Sequence, residues 1–371
     1  MPHAHRRLQG AAAGVAGRRG RALPERQARL RVGEVDRREG DGVVSKPERH
    51  AGYATGWFVV AATDELPVGK VLPLAYFGKH LVAFRGERGQ VSVLDAHCPH
   101  LGAHLGHGGA VVGDSIKCPF HAWRFAGDGA CVEIPYDRSD NKPRSLARAQ
   151  TRCWPVSERN GLVFVWHDAL GRAPTYEIPV IAEHGSEEWT PWTRSIMTIK
   201  THPREIIENV ADSGHFPAVH GTDLETFENE FIEHVAIQRS TGVAHPIGGG
   251  DDRFKLTATY YGPAYQVTEM ESFIPNRLIN AHTPIDEHTL HLRFGVMLKK
   301  VGDEKKMARY AQAYADNLTL GFQQDVAIWE NKVWRDRPTL CDGDGAIGAL
   351  RRWYRQFYVH QDAHGKEEQA S

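Results

Sequence analysis

The sequence predicts an α+β fold, in which a small antiparallel β domain precedes a larger antiparallel sheet with helices packed on it. From residue 52 to residue 166, short β-branched and aromatic runs alternate with Gly, Pro and Asp. From residue 203 onward, a helical segment leads into several strands and then into a long helix. The chain has 371 residues, which is enough for two domains.

The first domain is predicted over residues 51–170 and is all-β. Its strand-like runs are short and are separated by turn residues, which is typical of a small antiparallel domain. The runs lie at 57–62, 71–77, 81–85, 91–94, 115–118, 130–134 and 162–166.

The second domain is predicted over residues 171–360. A polar stretch at its start forms the crossover from the first domain. A helical segment at 203–212 is followed by strands near 228–240, 253–261, 264–274, 277–282 and 289–300. Two helices, at 304–334 and 347–357, complete this domain, and residues 361–371 are a tail.

Residues 1–50 differ in composition from the rest of the chain. They contain eleven Arg and one Lys against six acidic residues, a charge of +6, so the other residues carry −7. The segment has no aromatic residue and cannot bury enough apolar surface to offset the entropy lost on ordering. We expect a disordered or misassigned basic tail, with an organellar transit peptide as the alternative.

Overall charge and composition exclude several classes of protein. The net charge is −1, with 45 Lys and Arg against 46 Asp and Glu, so we expect no nucleic-acid partner. No apolar run approaches the roughly 20 residues that a membrane span requires. Five Cys residues are too few for a disulfide scaffold and favour a reducing, cytoplasmic location. Histidine is the unusual component, with 21 residues.

Four metal-binding side chains occur in two short motifs. Cys98-Pro-His100 is followed 17 residues later by Cys118-Pro-Phe-His121, and the segment between them is rich in Gly. Two Cys and two His suit either a tetrahedral Zn²⁺ or a Rieske [2Fe-2S] cluster, in which Cys binds one iron and His the other. Each motif supplies both residue types, which favours the cluster. We expect Trp123 to pack over the second motif, and Cys131, Cys153 and Cys341 to be buried small hydrophobic residues.

A second group of candidate ligands lies between residues 208 and 220. His215 and His220 would lie ~140° apart on an ideal helix, too far to share a metal ion. We expect Pro217 to distort the helix and to bring both imidazoles to one side. Asp212, three residues before His215, faces it on a helix.

Asp325 is the third candidate. The apolar stripe of the long helix includes Tyr310, Tyr314 and Leu318 and continues through Asp325 to Ile328 and Trp329. A carboxylate on that stripe needs a partner. One interpretation is a salt bridge or a helix cap; the other is a metal ion, since two His and one carboxylate form the facial triad of non-heme Fe(II) oxygenases.

With both groups of ligands, the chain resembles the α subunit of Rieske non-heme iron oxygenases from about residue 52 to residue 359. The resemblance rests on C-x-H-x₁₇-C-x-x-H and on (D/E)-x-x-x-D-x-x-H-x₄-H, which begins at Glu208. More narrowly, the chain is similar to the oxygenase component of 3-ketosteroid 9α-hydroxylases. That similarity is carried by residues 204–220, Tyr261-Gly-Pro-Ala, FQQDVAIWENK at 322–332 and the LRRWYRQFYV run.

The resemblance implies a helix-grip catalytic domain with mononuclear Fe(II) held by His215, His220 and Asp325. It also implies a homotrimer in which Asp212, as a catalytic residue, bridges His215 to His121 of the neighbouring subunit. Electrons would come from a separate flavin and iron-sulfur reductase, or from a ferredoxin and its reductase. The chain has no G-x-G-x-x-G motif, so we expect no bound nucleotide. Phe216 is followed by Pro217, where the steroid hydroxylases carry an aromatic pair.

The resemblance therefore predicts an O₂-dependent monooxygenase that hydroxylates a bulky hydrophobic substrate, a 3-ketosteroid. Candidate substrate-wall residues, for which core packing is the alternative, are Phe231, Tyr261, Pro263, Tyr265 and Phe273. A sterol desaturase or an aromatic-ring-hydroxylating dioxygenase on the same scaffold is one alternative function. A non-catalytic Rieske electron carrier is another, and a zinc-stabilised structural protein is the last.

Overall fold

The computed structural model describes residues 52–138, 142–245 and 251–358. The tails predicted at 1–50 and 361–371 lie outside the described residues. The first half of the described chain is almost entirely β structure, with one short α-helix and one 3₁₀ turn, Thr63–Glu65. Its elements are β1 (Gly56–Ala62), β2 (Val71–Tyr76), β3 (Lys79–Arg85), β4 (Val91–Asp95), β5 (Ala110–Val112), β6 (Ser115–Lys117), β7 (Arg124–Ala126), β8 (Cys131–Glu133), α1 (Lys142–Arg148), β9 (Cys153–Trp154), β10 (Val156–Arg159) and β11 (Leu162–His167).

These strands form three small sheets. Their strand orders are β1-β11-β10, β2-β3-β4-β9 and β5-β6-β7-β8, and every described pairing is antiparallel. The β5–β8 sheet packs with β3 and β4 around a buried core that contains Leu105, Ile116 and Phe125. The Cys98 and Cys118 side chains belong to this core. The loops that carry the first group of candidate ligands are therefore anchored on apolar packing.

The second half is one large antiparallel sheet with helices. Its elements are β12 (Thr193–Ile199), α2 (Pro203–Ile207), α3 (His215–His220), β13 (Asp223–Ile232), β14 (Val235–Ala244), β15 (Asp252–Tyr261), β16 (Tyr265–Glu271), β17 (Asn276–Pro284), β18 (Leu290–Leu298), α4 (Glu304–Trp329) and α5 (Ile347–Arg355). The seven strands are ordered β12-β18-β17-β16-β15-β14-β13.

The long helix α4 packs on β12 and β18. Asp303 caps its first turn, because its carboxylate accepts a hydrogen bond from the Lys306 amide at 2.9 Å. The helix buries Met307, Ala311 and Ala315 near its start and Asp325 and Trp329 near its end. Small alanine side chains at this spacing let the helix backbone approach the sheet closely.

The fold class predicted from the sequence is confirmed, although several elements, among them β12, were not predicted and the bounds of others differ. The single strand expected near 228–240 is a hairpin of β13 and β14, whose turn has Glu233 at φ 49° rather than the usual Gly or Asn. The helix expected at 203–212 ends at Ile207 and continues as a 3₁₀ turn, Glu208–Val210. Helix α4 ends at Trp329, five residues before the expected position of 334.

Candidate metal centres

Cys98 and Cys118 lie side by side in the core of the first half. Their residues are 2% and 3% exposed, and both side chains belong to the same buried core. Each begins a tight turn, since the Gly102 amide donates to the Cys98 carbonyl and the Ala122 amide to the Cys118 carbonyl. Burial raises the pKa of the Cys98 thiol to about 11. A bound metal cation would instead favour the thiolate form of Cys98, because a coordinating thiol is deprotonated.

His100 and His121 complete this group. Their ring centroids are 4.7 Å apart. Trp123 stacks on His100 with centroids 4.4 Å apart and an interplanar angle of 9°, and its indole N–H donates to the Tyr136 hydroxyl at 2.8 Å. The expectation that Trp123 covers the second motif is therefore wrong: it covers the imidazole of the first. Two buried thiols beside two less buried imidazoles fit a cluster bound by Cys on its inner iron and by His on its outer iron.

The second group is brought together by α3 and α4. One ligand atom from each of His215, His220 and Asp325 can be chosen so that all three lie within 4.8 Å of one another. Within the described part of the chain, no other three His, Cys, Asp or Glu side chains meet this condition. The open positions of such a triad suit a non-heme iron that must also bind O₂.

Helix α3 holds its two histidines at its opposite ends. Their ring centroids are 5.3 Å apart although an intact helix separates them. The expectation that Pro217 distorts the helix is wrong, because Pro217 is the third residue of α3. Amides of the first turn have no partner within a helix, so a proline there removes no hydrogen bond. Helix α3 has only six residues, so the residues at its two ends remain close together.

Asp325 is buried, with 6% of the residue exposed, and its Oδ2 lies 3.4 Å from His220 Nε2. A hydrogen bond that His220 donates to this carboxylate raises the pKa of His220, whereas burial lowers the pKa of His215. Asp325 thus lies on the inward face of α4, as expected. Tyr310 and Ile328, which were expected on the same face, are 41% and 46% exposed.

Asp212 lies directly before α3. Its backbone carbonyl accepts a hydrogen bond from His215 Nδ1 at 2.6 Å, and its carboxylate accepts one from the His215 amide at 3.2 Å. The Ser213 hydroxyl donates to the Gly343 carbonyl at 2.9 Å. Gly345, at φ 77°, lies so close that a Cβ there would be 2.2 Å from the Ala211 carbonyl oxygen. The loop after α4 therefore fixes the segment that carries Asp212.

A cavity of about 170 Å³ adjoins the triad. His215 and His220 lie at its helical side, and the sheet forms the opposite side. The sheet residues are contributed by alternate positions of neighbouring strands, which place their side chains on one face. They include Gln238, Ala258, Tyr260, Gln266, Thr268 and Asn280. The Asn280 amide donates to Gln266 Oε1 at 2.9 Å, which fixes two of the polar groups, and Leu256, Leu278, Phe322 and Trp329 supply apolar surface.

Two family models match the chain. The Rieske [2Fe-2S] domain matches residues 56–155, and the 3-ketosteroid 9alpha-hydroxylase C-terminal domain matches residues 165–358. The chain belongs to the 3-ketosteroid 9α-hydroxylase family. It is thus a Rieske-type oxygenase that uses a [2Fe-2S] cluster and a mononuclear iron. The first family model contains all four Cys and His candidates, and the second contains the triad.

Curated relatives are similar to this chain over most of their length. A 3-ketosteroid-9-alpha-monooxygenase oxygenase component of Rhodococcus rhodochrous is 42% identical over 325 residues, covering 83% of this chain and 82% of the relative. The one from Mycobacterium tuberculosis is 36% identical over 323 residues, covering 83% and 82%. Cholesterol 7-desaturase nvd 1 of Ciona intestinalis is 32% identical, covering 83% and 69%.

Solved structures share the fold of this family member. Dicamba monooxygenase bound to dicamba superposes with a TM-score of 0.66 at 21% identity, covering 83% of this chain and 98% of that chain. NdmA of Pseudomonas putida CBB5 gives a TM-score of 0.62 at 18% identity, covering 81% of this chain and 88% of that chain.

No helix among the described residues is long and apolar enough to cross a membrane.

None of the five substrate-wall residues expected from the sequence lines the cavity. Tyr261 and Tyr265 pack in the core on the other side of the sheet, where Tyr265 contacts Phe164 edge-on at 5.0 Å. Their neighbours Tyr260 and Gln266 line the cavity instead. Side chains alternate between the two faces along a strand. The residue one position away from each of these two predicted wall residues therefore faces the cavity, and the predicted residue faces the core.

The other three candidate wall residues also lie away from the cavity. Phe231 packs near Trp353, with ring centroids 6.0 Å apart, in the core that includes α5. Pro263 lies against Gly56 of β1. Phe273 is 89% exposed because it lies in the turn between β16 and β17. The signal that was missed is polar: Gln238, Gln266 and Thr268 are buried and Asn280 is half-buried on the sheet face that lines the cavity.

The remaining cysteines differ from one another. Cys131 is buried beside Cys98, as expected, whereas Cys153 and Cys341 are exposed, so that expectation was wrong for two of the three. Cys341 lies in a loop and Cys153 in the two-residue strand β9.

Proposed function

We propose that this chain is the oxygenase component of a multicomponent monooxygenase that hydroxylates a 3-ketosteroid. The observation that carries the proposal is the cavity, which joins the histidines of the triad to a sheet surface of apolar side chains and fixed amides. Such a surface suits a rigid, largely hydrophobic substrate with few polar groups. The names of the curated relatives indicate 3-ketosteroids as the substrate class. The enzyme would then act in steroid degradation.

Cys98, His100, Cys118 and His121 are the proposed cluster ligands, and His215, His220 and Asp325 the proposed ligands of the mononuclear iron. When bound, the cluster supplies single electrons and the iron supplies the centre at which O₂ is activated. The His215 Nδ1–H is held by the Asp212 carbonyl, so Nε2 is left for the metal. The protein's own contribution is to hold a particular C–H bond of the substrate beside that centre and to exclude water.

Two protein partners belong to this proposal. A reductase, either a flavin and iron-sulfur protein or a ferredoxin with its reductase, would supply electrons from NAD(P)H. A homotrimer would place His121 of one subunit against Asp212 of the next. The Asp212 side chain is 38% exposed, and Leu101 and Phe120, beside the candidate cluster, are 65% and 61% exposed, which leaves both surfaces accessible. We expect the cytoplasm as the location.

Turnover of a panel of steroids, with a generic ferredoxin and reductase supplying electrons from NADPH, tests the proposed substrate. We expect a product with one added oxygen from 3-ketosteroids and little from apolar hydrocarbons that lack the ketone. Ala258→Leu, which fills the cavity, should reduce turnover, whereas Phe273→Leu, an exposed control, should not. Absence of turnover by protein with three irons per chain would refute the steroid assignment and leave the oxygenase intact.

A sterol desaturase is the second candidate, because the desaturase relative is 32% identical over most of this chain. Reaction under ¹⁸O₂ separates the outcomes. Hydroxylation leaves one labelled oxygen in the product, desaturation leaves none, and dioxygenation of an aromatic ring leaves two. A non-catalytic electron carrier would contain two irons per chain rather than three.

A further inference from the structure

The two imidazoles of the triad are oriented in different ways. His215 Nδ1 hydrogen-bonds to a backbone carbonyl, that of Asp212, at 2.6 Å. His220 Nδ1 instead hydrogen-bonds to a side chain, Gln324 Oε1, at 3.2 Å. The first contact is built into the turn before α3 and survives any side-chain substitution there. The second depends on one residue of the opposite helix, α4.

The chemistry of imidazole makes this contact important. A neutral imidazole binds a metal through the nitrogen without a proton, and the other nitrogen then carries the proton. His220 Nε2 is the nitrogen that faces Asp325, at 3.4 Å from Oδ2. Nδ1 must therefore carry the proton, and an amide oxygen can accept its hydrogen bond. Partners of this kind fix the ring orientation and the protonation state of metal-binding histidines.

The position of Gln324 couples two ligands. Gln324 is the residue before Asp325 on α4, while His220 is the last residue of α3. One turn of α4 therefore provides a carboxylate ligand and orients the imidazole that lies beside it. Gln324 is exposed, so truncating it leaves no buried cavity. Its neighbour Gln323 is also exposed, lies on the same helix and has the same side chain, which makes it a matched control.

We propose that Gln324 is a positioning residue for the mononuclear iron site: its side-chain oxygen selects Nε2 of His220 as the ligand atom and holds the ring towards Asp325. This inference rests on the proposed function, because it assumes that His215, His220 and Asp325 bind the metal. It concerns a hydrogen bond to a ligand and adds no ligand to the triad.

The test is the affinity of the full chain for Fe(II) and Co(II), measured anaerobically by calorimetry with the [2Fe-2S] cluster in place. Gln324→Leu should bind either ion roughly 10- to 100-fold more weakly, the usual effect of losing such a partner. Gln323→Leu should bind as the wild type does. Gln324→Glu keeps an acceptor oxygen and should recover most of the lost affinity. The visible spectrum of bound Co(II) should change in Gln324→Leu only.

Three outcomes would overturn the inference: wild-type affinity in Gln324→Leu, an equal loss in Gln323→Leu, or no recovery in Gln324→Glu. Cluster absorbance and circular dichroism report whether each variant is folded. A His220→Ala variant tests the proposed function separately from the role of Gln324. If that variant binds the ion as tightly as the wild type, the metal site itself is wrong, whatever Gln324 does.

Discussion

The candidate cluster site takes its four side chains from residues 98 to 121, whereas the triad takes its side chains from α3 and α4, which are far apart in the sequence. In the first half, two tight turns and a small apolar core position the thiols. In the second half, the sheet must fold and α4 must pack on it before Asp325 reaches His220. The cluster site is thus local in sequence, while the iron site depends on long-range packing.

Loss of one thiol should have the largest effect and should stay within the first half. Cys98→Ser should abolish the visible absorbance of the cluster and remove its two irons, because a thiolate ligand is lost. Cys131→Ala is the matched control, since Cys131 is a buried cysteine of the same core that is not a proposed ligand. It should retain both irons. Iron analysis and absorbance spectra of the two variants check this, and a cluster retained by Cys98→Ser would show that Cys98 is not a ligand.

The iron site should respond to changes in its distant scaffold. Lys332 Nζ lies 2.8 Å from Glu205 and 3.4 Å from Glu208, both buried residues that precede α3. Arg204 and Arg351 remain as partners of these carboxylates. Because Lys332→Met removes one charged donor from this cluster, we expect a loss of about 2 kcal/mol in the free energy of unfolding. The mononuclear iron content should fall and the cluster should remain.

An exposed ion pair provides the control for Lys332. Arg239 and Glu230 lie 2.9 Å apart with side chains that are 49% and 46% exposed. Arg239→Met should change the free energy of unfolding by less than about 1 kcal/mol, because solvent screens the pair. Denaturant unfolding of both variants gives the comparison. Equal effects would mean that the Lys332 contacts do not stabilise the second half.

Acid should weaken the second half through a buried histidine. His282 is fully buried on β17, and neither ring nitrogen has a hydrogen-bond partner among the described residues. Burial lowers the pKa of His282 to about 3 from its ordinary value of 6.5. Below about pH 6.5 the unfolded chain binds a proton that the folded chain excludes, so stability is complete above that pH and is lost as pH falls towards 3.

From these pKa values, the loss should reach about 2 kcal/mol at pH 5. His282→Leu should remove that part of the pH dependence, and His288→Leu, at an exposed position in the following turn, should not. Unfolding by urea at pH 8 and pH 5 measures the difference. An unchanged pH dependence in His282→Leu would show that this imidazole is charged or paired in the folded protein.

The contrast between the two sites also explains what the sequence could predict. Cys98, His100, Cys118 and His121 were found from spacing alone, because their ligand set is local. Asp325 was found only from its place on the stripe of α4. The cavity could not be predicted in this way, since Tyr260 and Tyr261 differ only in the face of β15 on which they lie. The position of Gln324 beside His220 depends on how two helices pack, which no local pattern encodes.

The iron content of the wild type and of Asp325→Ala tests the central claim, that one chain contains two separate iron sites, most directly. We expect three irons per chain in the wild type and two in Asp325→Ala, with the cluster absorbance unchanged. Three irons in Asp325→Ala, or a cluster lost together with the third iron, would contradict the account.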